Sequence, residues 1–560
     1  MNAEAAYPLP AKPNPRQLLF TYNTNVRRWP GALRAMLAIL IPGAFAVASG
    51  NDKAILLCAA GAFAVIYGEG HPFRARLRVM VSAATLITLA STGGILVGKL
   101  VFAPGHGHWW LLLAGFYTAA IGVIGATLQN GLRLPVPGCF FIVMVGGGST
   151  MLARTDTAVW EVLGWTLFSA VVACIIGMFP ALLDKRGPER SAVEAVEKAA
   201  ESFCTADDDI LTKHHQAQTA TSNAWQALAD AGHIRGGRVV STDPEGLVQR
   251  AQDAQQRIVQ HNLELSLGAK SEMLNDDGIA FDPRRTAIPH TRPTGRYRLY
   301  RSAVRNSHAV VTGEKVAIAS IITVIISVSL GFDRPDWGAV SALLVLQWGP
   351  DHIPGTVKGI QRMIGSILGV GLFTLIHFFG VQGWSLLIVL AICQFCAEIF
   401  IARNYALCLV FSTPLALLMG NSAGRALGDI VTARFAEIFI SVAVAMLVLW
   451  FFKPRAVVNN HYRLQERVIE SMSTLLGALH IRTPEEALAA RRDLQYELLS
   501  ERRAMVSLAI DNQKEVSQFW DRHIALQQTG YFLLDFCSAH PDRAATRSEL
   551  NVLVTKIREA

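Results

Sequence analysis

The chain has 560 residues, 51% of them hydrophobic and 17% charged, with a mean hydropathy of +0.33. A water-soluble protein of this size carries roughly 25% charged residues, so the deficit excludes an ordinary soluble globule and points to lipid. The net charge is +8, yet the basic residues flank apolar segments instead of interleaving with aromatics, which excludes a nucleic-acid platform.

In chain order, a polar N-terminal arm (1–30) holds Lys12, Arg16, Arg27 and Arg28. It has no short apolar core followed by a cleavage site, so no removable signal peptide is expected. A first apolar block (31–182) gives candidate spans at 31–50, 53–69, 78–101, 108–128, 136–152 and 158–182. A polar, helix-patterned region with a linker follows (183–311). A second block (312–452) gives spans at 313–331, 336–349, 362–379, 383–402, 404–420 and 429–452, and a polar helical segment (453–560) ends the sequence. Crossing a bilayer core takes about 20 helical residues. The second and eighth candidates, one in each block, are too short to cross unaided.

Lys and Arg concentrate in the N-terminal arm, the 71–78 loop, 185–190, 292–315, the Lys358–Arg362 loop, Arg403 and 453–455. By the positive-inside rule, both termini and the middle region are expected on the cytoplasmic side of the membrane. Six spans return the chain to its starting side, so the halves run parallel. The expected fold is therefore an all-α membrane protein of two parallel six-helix transmembrane repeats, each followed by a helical cytoplasmic module. Matched residues support the duplication: Tyr67-Gly68 with His71 against Trp348-Gly349 with His352, and Arg78 against Arg362. Pro244-Glu245 and Pro484-Glu485 each read as the start of a long polar helix.

No enzyme site and no cofactor or metal site is expected. Gly93 to Lys99 spells GxxxxGK, but Leu100 stands where a phosphate-binding loop needs Ser or Thr, and the run is apolar. Cys393 and Cys396 form a CxxC inside a span and read as packing residues. The informative residues are polar ones at membrane depth, which cost several kcal/mol unless paired or hydrated. Short helices at matching positions leave unpaired backbone that needs a wet cavity. The candidate substrate-binding residues are Arg362, Arg78 and Lys358 as cations, with Trp348, Gln347, Trp337 and Tyr67 beside them. The three aromatics also suit an interfacial belt. Glu398, Asp336 and Glu437 are candidates for proton coupling, with a local pair to Arg434 as the alternative for Glu437.

The run Arg334-Pro-Asp-Trp337, then Lys358-Gly-Ile-Gln-Arg362-Met-Ile-Gly365-Ser-Ile-Leu-Gly369, resembles the fusaric acid resistance (FUSC-like) and aromatic acid exporter family. The first half departs from that pattern, since Val-Met-Val-Ser follows Arg78 and no Pro-x-Trp precedes it. The resemblance implies export of small organic anions, aromatic carboxylic acids such as fusaric or hydroxybenzoic acid, driven by the proton motive force. It also implies work beside a periplasmic adaptor and an outer-membrane channel. Distant plant relatives look like dimeric anion channels, so a homodimer, and a channel without coupling, stay open. So does a non-transporting membrane scaffold.

Overall fold

A computed structural model describes residues 8–10, 14–22, 28–155, 157–235, 238–240, 243, 245–267, 293–419, 427–540 and 543–559. Most of the linker expected at 273–296 lies outside these residues, as do Lys12, Arg27 and Pro244.

Apolar sequence meeting lipid must satisfy its backbone internally, and the chain does so with helices. After a short α1 (Pro15–Phe20) come α2 (Trp29–Ala48), α3 (Ala54–Ala62, extended by a 3-10 turn to Gly68), α4 (Phe73–Val101) and α5 (Leu111–Leu132). Next are α6 (Phe140–Thr150) and α7 (Val159–Met178). A polar group follows: α8 (Gly187–Cys204), α9 (Ile210–Ala231), a hairpin of β1 (Ile234–Arg235) with β2 (Arg238–Val239), and α10 (Leu247–Leu267). Then come α11 (Gly295–Ser302), α12 (His308–Ser329), α13 (Pro335–Leu346), α14 (His352–Phe378), α15 (Gly383–Phe400), α16 (Tyr405–Met419) and α17 (Leu427–Phe451). A second polar group closes the chain: α18 (Ala456–Leu479), α19 (Leu488–Asp511), α20 (Gln513–Ala539) and α21 (Arg547–Glu559).

Among the described residues, eight helices are long and apolar enough to cross a membrane, making this a multi-pass membrane protein. Four apolar helices are shorter: Ala54–Gly68, Phe140–Thr155, Pro335–Leu346 and Tyr405–Leu418. The sequence reading had found two short segments. The other two, expected at 136–152 and 404–420, also shorten once folded. Pro135, Pro137 and Gly138 delay the start of α6, and the apolar stretch holding α16 ends by Met419. The polar helices also begin later than the Pro-Glu pairs suggested, at Leu247 and Leu488. The residues just before each proline instead bond into the turn that leads into the helix. Asp243 accepts the Val248 N–H at 2.8 Å, and Thr483 and Glu486 bond reciprocally at 3.1 and 3.3 Å.

Packing is ordered in the same way in the two apolar blocks. The third and fifth helices of each block pair (α4 with α6, α14 with α16), as do the second and sixth (α3 with α7, α13 with α17). Small residues set the closest pairs. A Cβ on Gly94 would stand 2.3 Å from the Gly146 carbonyl oxygen, and one on Gly98 would stand 2.0 Å from that of Thr150. In the second block, a Cβ on Gly365 would meet the Ala406 carbonyl oxygen at 2.4 Å, and one on Gly369 would meet Thr413 Cβ at 2.6 Å. Both are small-xxx-small seams, the device by which helices in lipid bring backbones together. The glycines of the rejected GxxxxGK are thus a packing face. Between blocks the contacts are reciprocal: α2 packs on α15 and α5 on α12.

The polar helices form their own buried clusters, joining α10 to α18–α21 through Val259, Leu263, Val468, Met472, Leu494 and Tyr531. They also grip the membrane helices. Asp511, at the end of α19, accepts the backbone N–H groups of His352 and Ile353 at 2.6 and 2.8 Å, capping α14 from another element. Deeper among the polar helices, burial pushes the Asp535 carboxyl up to about 8, while an N–H of Asn262 donates to it at 2.6 Å. The native state keeps this proton to about pH 8, whereas the unfolded chain releases it near pH 4, so stability present at low pH is lost as the pH rises between them. We expect Asp535→Asn to raise the thermal midpoint by several degrees at pH 8, with the gap closing toward pH 4. A pH-independent gap would place the effect elsewhere.

Candidate functional site: a cationic, aromatic cavity

A cavity of about 480 Å³ opens between the two blocks, walled by α3, α6, α13, α14, α15, α16 and α17. Five cationic side chains line it (Arg28, Arg334, Lys358, Arg362 and Arg434) against two carboxylates (Asp336 and Glu398). The rest of the wall is largely apolar and aromatic, including Phe140, Phe141, Trp337 and Trp348. The short helices position these groups. Pro335 starts α13 and sets Asp336 in its first turn, where the helix dipole favours a carboxylate. Gln347 and Trp348 come off its other end.

Much of the cationic lining is held against the protein without exhausting its donors. Arg334 forks onto Asp336, Nε to Oδ1 at 3.0 Å and an Nη to Oδ2 at 2.9 Å. Two guanidinium groups lie over the Trp337 ring, Arg334 at 4.3 Å and Arg434 at 4.5 Å from its centroid, a buried double cation–π arrangement. Arg362 donates to Ser341 Oγ at 3.0 Å, and Tyr405 lies beside it in the cavity wall. Lys358 Nζ sits 5.4 Å from the Trp348 ring centroid. Among the described residues, Nε of Arg362 and both Nε and one Nη of Arg434 are buried without a hydrogen-bond acceptor. A buried guanidinium with unspent donors costs several kcal/mol unless water or an anion meets it. The geometry therefore suits a planar carboxylate on an arginine fork beside an aromatic face.

On the opposite wall, Glu398 accepts from Gln394 at 3.4 Å, one turn earlier on α15, and lies 3.8 Å from Arg28.

The structure gathers seven of the ten residues expected from sequence around this cavity: Arg362, Lys358, Trp348, Gln347, Trp337, Asp336 and Glu398. Three stand elsewhere. Glu437 is buried behind the wall, 3.9 Å from Arg434 as an i,i+3 pair. Tyr67 packs into the first block's core with its hydroxyl buried. Arg78 is exposed on the outer face of α4. Two residues along a helix is about 200° of rotation, so it is Arg76 that turns inward. Arg76 is spent on the carbonyl oxygens of Gly68 (2.8 Å) and Gly177 (3.1 Å) and is not part of the lining. Arg334, Arg434, Arg28 and Tyr405 were missed. Arg434 carries the clearest signal, an always-charged side chain inside a span, which the sequence weighs only as the alternative i,i+3 partner of Glu437, a pairing the structure contains.

Residues 321–448 match the sequence model of a family described as fusaric acid resistance protein-like. The chain is also 22% identical over 512 residues to the uncharacterized membrane protein YvaC of Bacillus subtilis (strain 168), covering 81% of this chain and 78% of that one. No solved structure matches. The matched segment spans Arg334, Asp336, Trp337, Lys358, Arg362, Glu398 and Arg434, so the part of this multi-pass membrane protein that supplies most of the cavity's charge is the part that is similar to the fusaric acid resistance protein-like family.

Proposed function

We propose that the protein is a secondary exporter of small aromatic carboxylates across a bacterial inner membrane, driven by the proton motive force. One observation supports it above the rest. Arginines with unspent donors face an aromatic-walled cavity at membrane depth, a combination that recognises a charged carboxylate and a flat ring together. Arg362 and Arg434 bind the carboxylate, Trp337, Trp348 and Phe141 contact the ring, and Glu398 exchanges the proton. Both termini and the two polar helical groups face the cytoplasm. The like order of helix pairs and the reciprocal contacts between blocks support a duplicated six-helix unit, at 31–182 and 312–452, with helical modules at 183–311 and 453–560. A periplasmic adaptor, an outer-membrane channel and a homodimer remain partners the family resemblance implies.

The test is uptake of labelled hydroxybenzoate into proteoliposomes under an imposed pH gradient. Wild-type protein accumulates the anion only with the gradient, while Glu398→Gln retains downhill flux and loses accumulation. Gradient-independent flux in wild type would leave an organic-anion channel, and no flux would leave a scaffold.

A further inference from the structure

A second cavity, of about 770 Å³, lies where the ends of the membrane helices meet the polar helices α8, α9, α18 and α19. Five arginines line it (Arg133, Arg301, Arg463, Arg467 and Arg503) against three carboxylates (Glu69, Asp230 and Asp351). Part of this charge is engaged. Arg133 lies 3.9 Å over the Tyr496 ring and donates to Ser500, and Arg467 pairs with Glu497. Part is not. Arg463 spends its Nη groups on Asn460 at 2.9 Å and the Arg301 carbonyl oxygen at 3.4 Å, but Nε of both Arg463 and Arg467 is buried without an acceptor among the described residues. Arg503 is exposed to the cavity, with no hydrogen bond or ion pair to any described residue.

Trp348 lines this cavity and the inner one, and Leu134–Pro135 on the outer side run straight into Val136–Pro137 on the inner, so two short stretches of chain separate the cavities and Trp348 is the aromatic one. The Trp348 stretch is a break between α13 and α14 held by side chains. Asn130 donates to the Gln347 carbonyl oxygen at 2.7 Å, and Lys315 donates to that of Pro350 at 3.2 Å. Gly349 sits at φ +146°, and a Cβ there would meet His308 at 2.5 Å and Asp351 at 2.8 Å. The ring is therefore fixed beside a tightly packed glycine turn, with Lys358 on the inner side and the arginine cluster on the outer.

We infer that the outer cavity is a second binding site for the same organic carboxylates, filled before the inner one, with Trp348 as the partition through which the anion passes. The inference rests on the inner cavity being a carboxylate site. Its own ground is the excess of arginines, some with unused donors, beside the aromatic partition. The outer site is the wetter of the two, so its affinity falls more steeply with salt.

Equilibrium binding of labelled hydroxybenzoate to the purified full chain in lipid nanodiscs tests this. Wild-type protein binds two anions per chain, one of them salt-sensitive. Arg503→Gln breaks no hydrogen bond or ion pair with a described residue, and it weakens the salt-sensitive site about tenfold while sparing the other. Arg463→Gln gives the same selective loss, and Arg362→Gln removes the salt-resistant site alone. One site per chain, indifferent to Arg503→Gln and Arg463→Gln but lost with Arg362→Gln, overturns the outer site and leaves the exporter reading standing. Loss with the outer variants and indifference to Arg362→Gln does the reverse. No binding at all overturns both.

Discussion

Replacing Arg362 by Gln is expected to cut hydroxybenzoate transport in proteoliposomes by about a hundredfold while the protein still folds and inserts. The side chain is buried, donates to Ser341 beside Tyr405, and has an Nε without an acceptor among the described residues in the cavity wall. Losing one partner of a buried, charge-assisted pair costs about 2–5 kcal/mol, mostly because the other charge is stranded. Here the stranded charge is the substrate's carboxylate, so the loss falls on transport and not on the fold. Arg78→Gln is the control. Its side chain is exposed on the outer face of α4, and it should transport normally. Equal losses in both variants would mean that the arginines only orient the protein in the membrane.

The largest structural effect is expected from Gly98→Leu. Even the first carbon of the new side chain would lie 2.0 Å from the Thr150 carbonyl oxygen, so α4 and α6 must separate. Well-packed cores lose about 1–3 kcal/mol on modest overpacking, and a backbone clash exceeds that. The variant should fail to accumulate as a monodisperse species on size-exclusion chromatography. Gly371→Leu, on α14 with open space around it, should behave as wild type. If both variants purify equally well, the two helices do not meet along this seam.

Much of the fold was legible because lipid permits so few solutions. Apolar runs had to be helices, and charge placement located the polar groups between them. The short α3 and α13 were visible from Tyr67-Gly68 and Pro335-Asp336 at their ends. The other two were hidden because length was judged from hydropathy, and Pro137 and Gly138 read as apolar residues of the span instead of the break before α6. The site was legible where one chain segment carried it, from Arg334 to Arg362. It was not legible where facing had to be known. Arg76 and Arg78 differ by two positions and point to opposite sides of one helix, which a matched-position argument cannot distinguish. Nor can sequence spacing show that Arg434 would close over Trp337 from another helix, or that Arg28 from the N-terminal arm would reach Glu398.

Asp511 carries a thermodynamic obligation. By capping the first turn of α14, it makes the seating of Lys358 and Arg362 depend on where the end of α19 stands. Linkage runs both ways with equal strength. An occupant that prefers one tilt of α14 must favour one posture of α19 by the same free energy. A partner that moved the end of α19 would, by the same linkage, shift the affinity of an anion bound in the cavity without touching it.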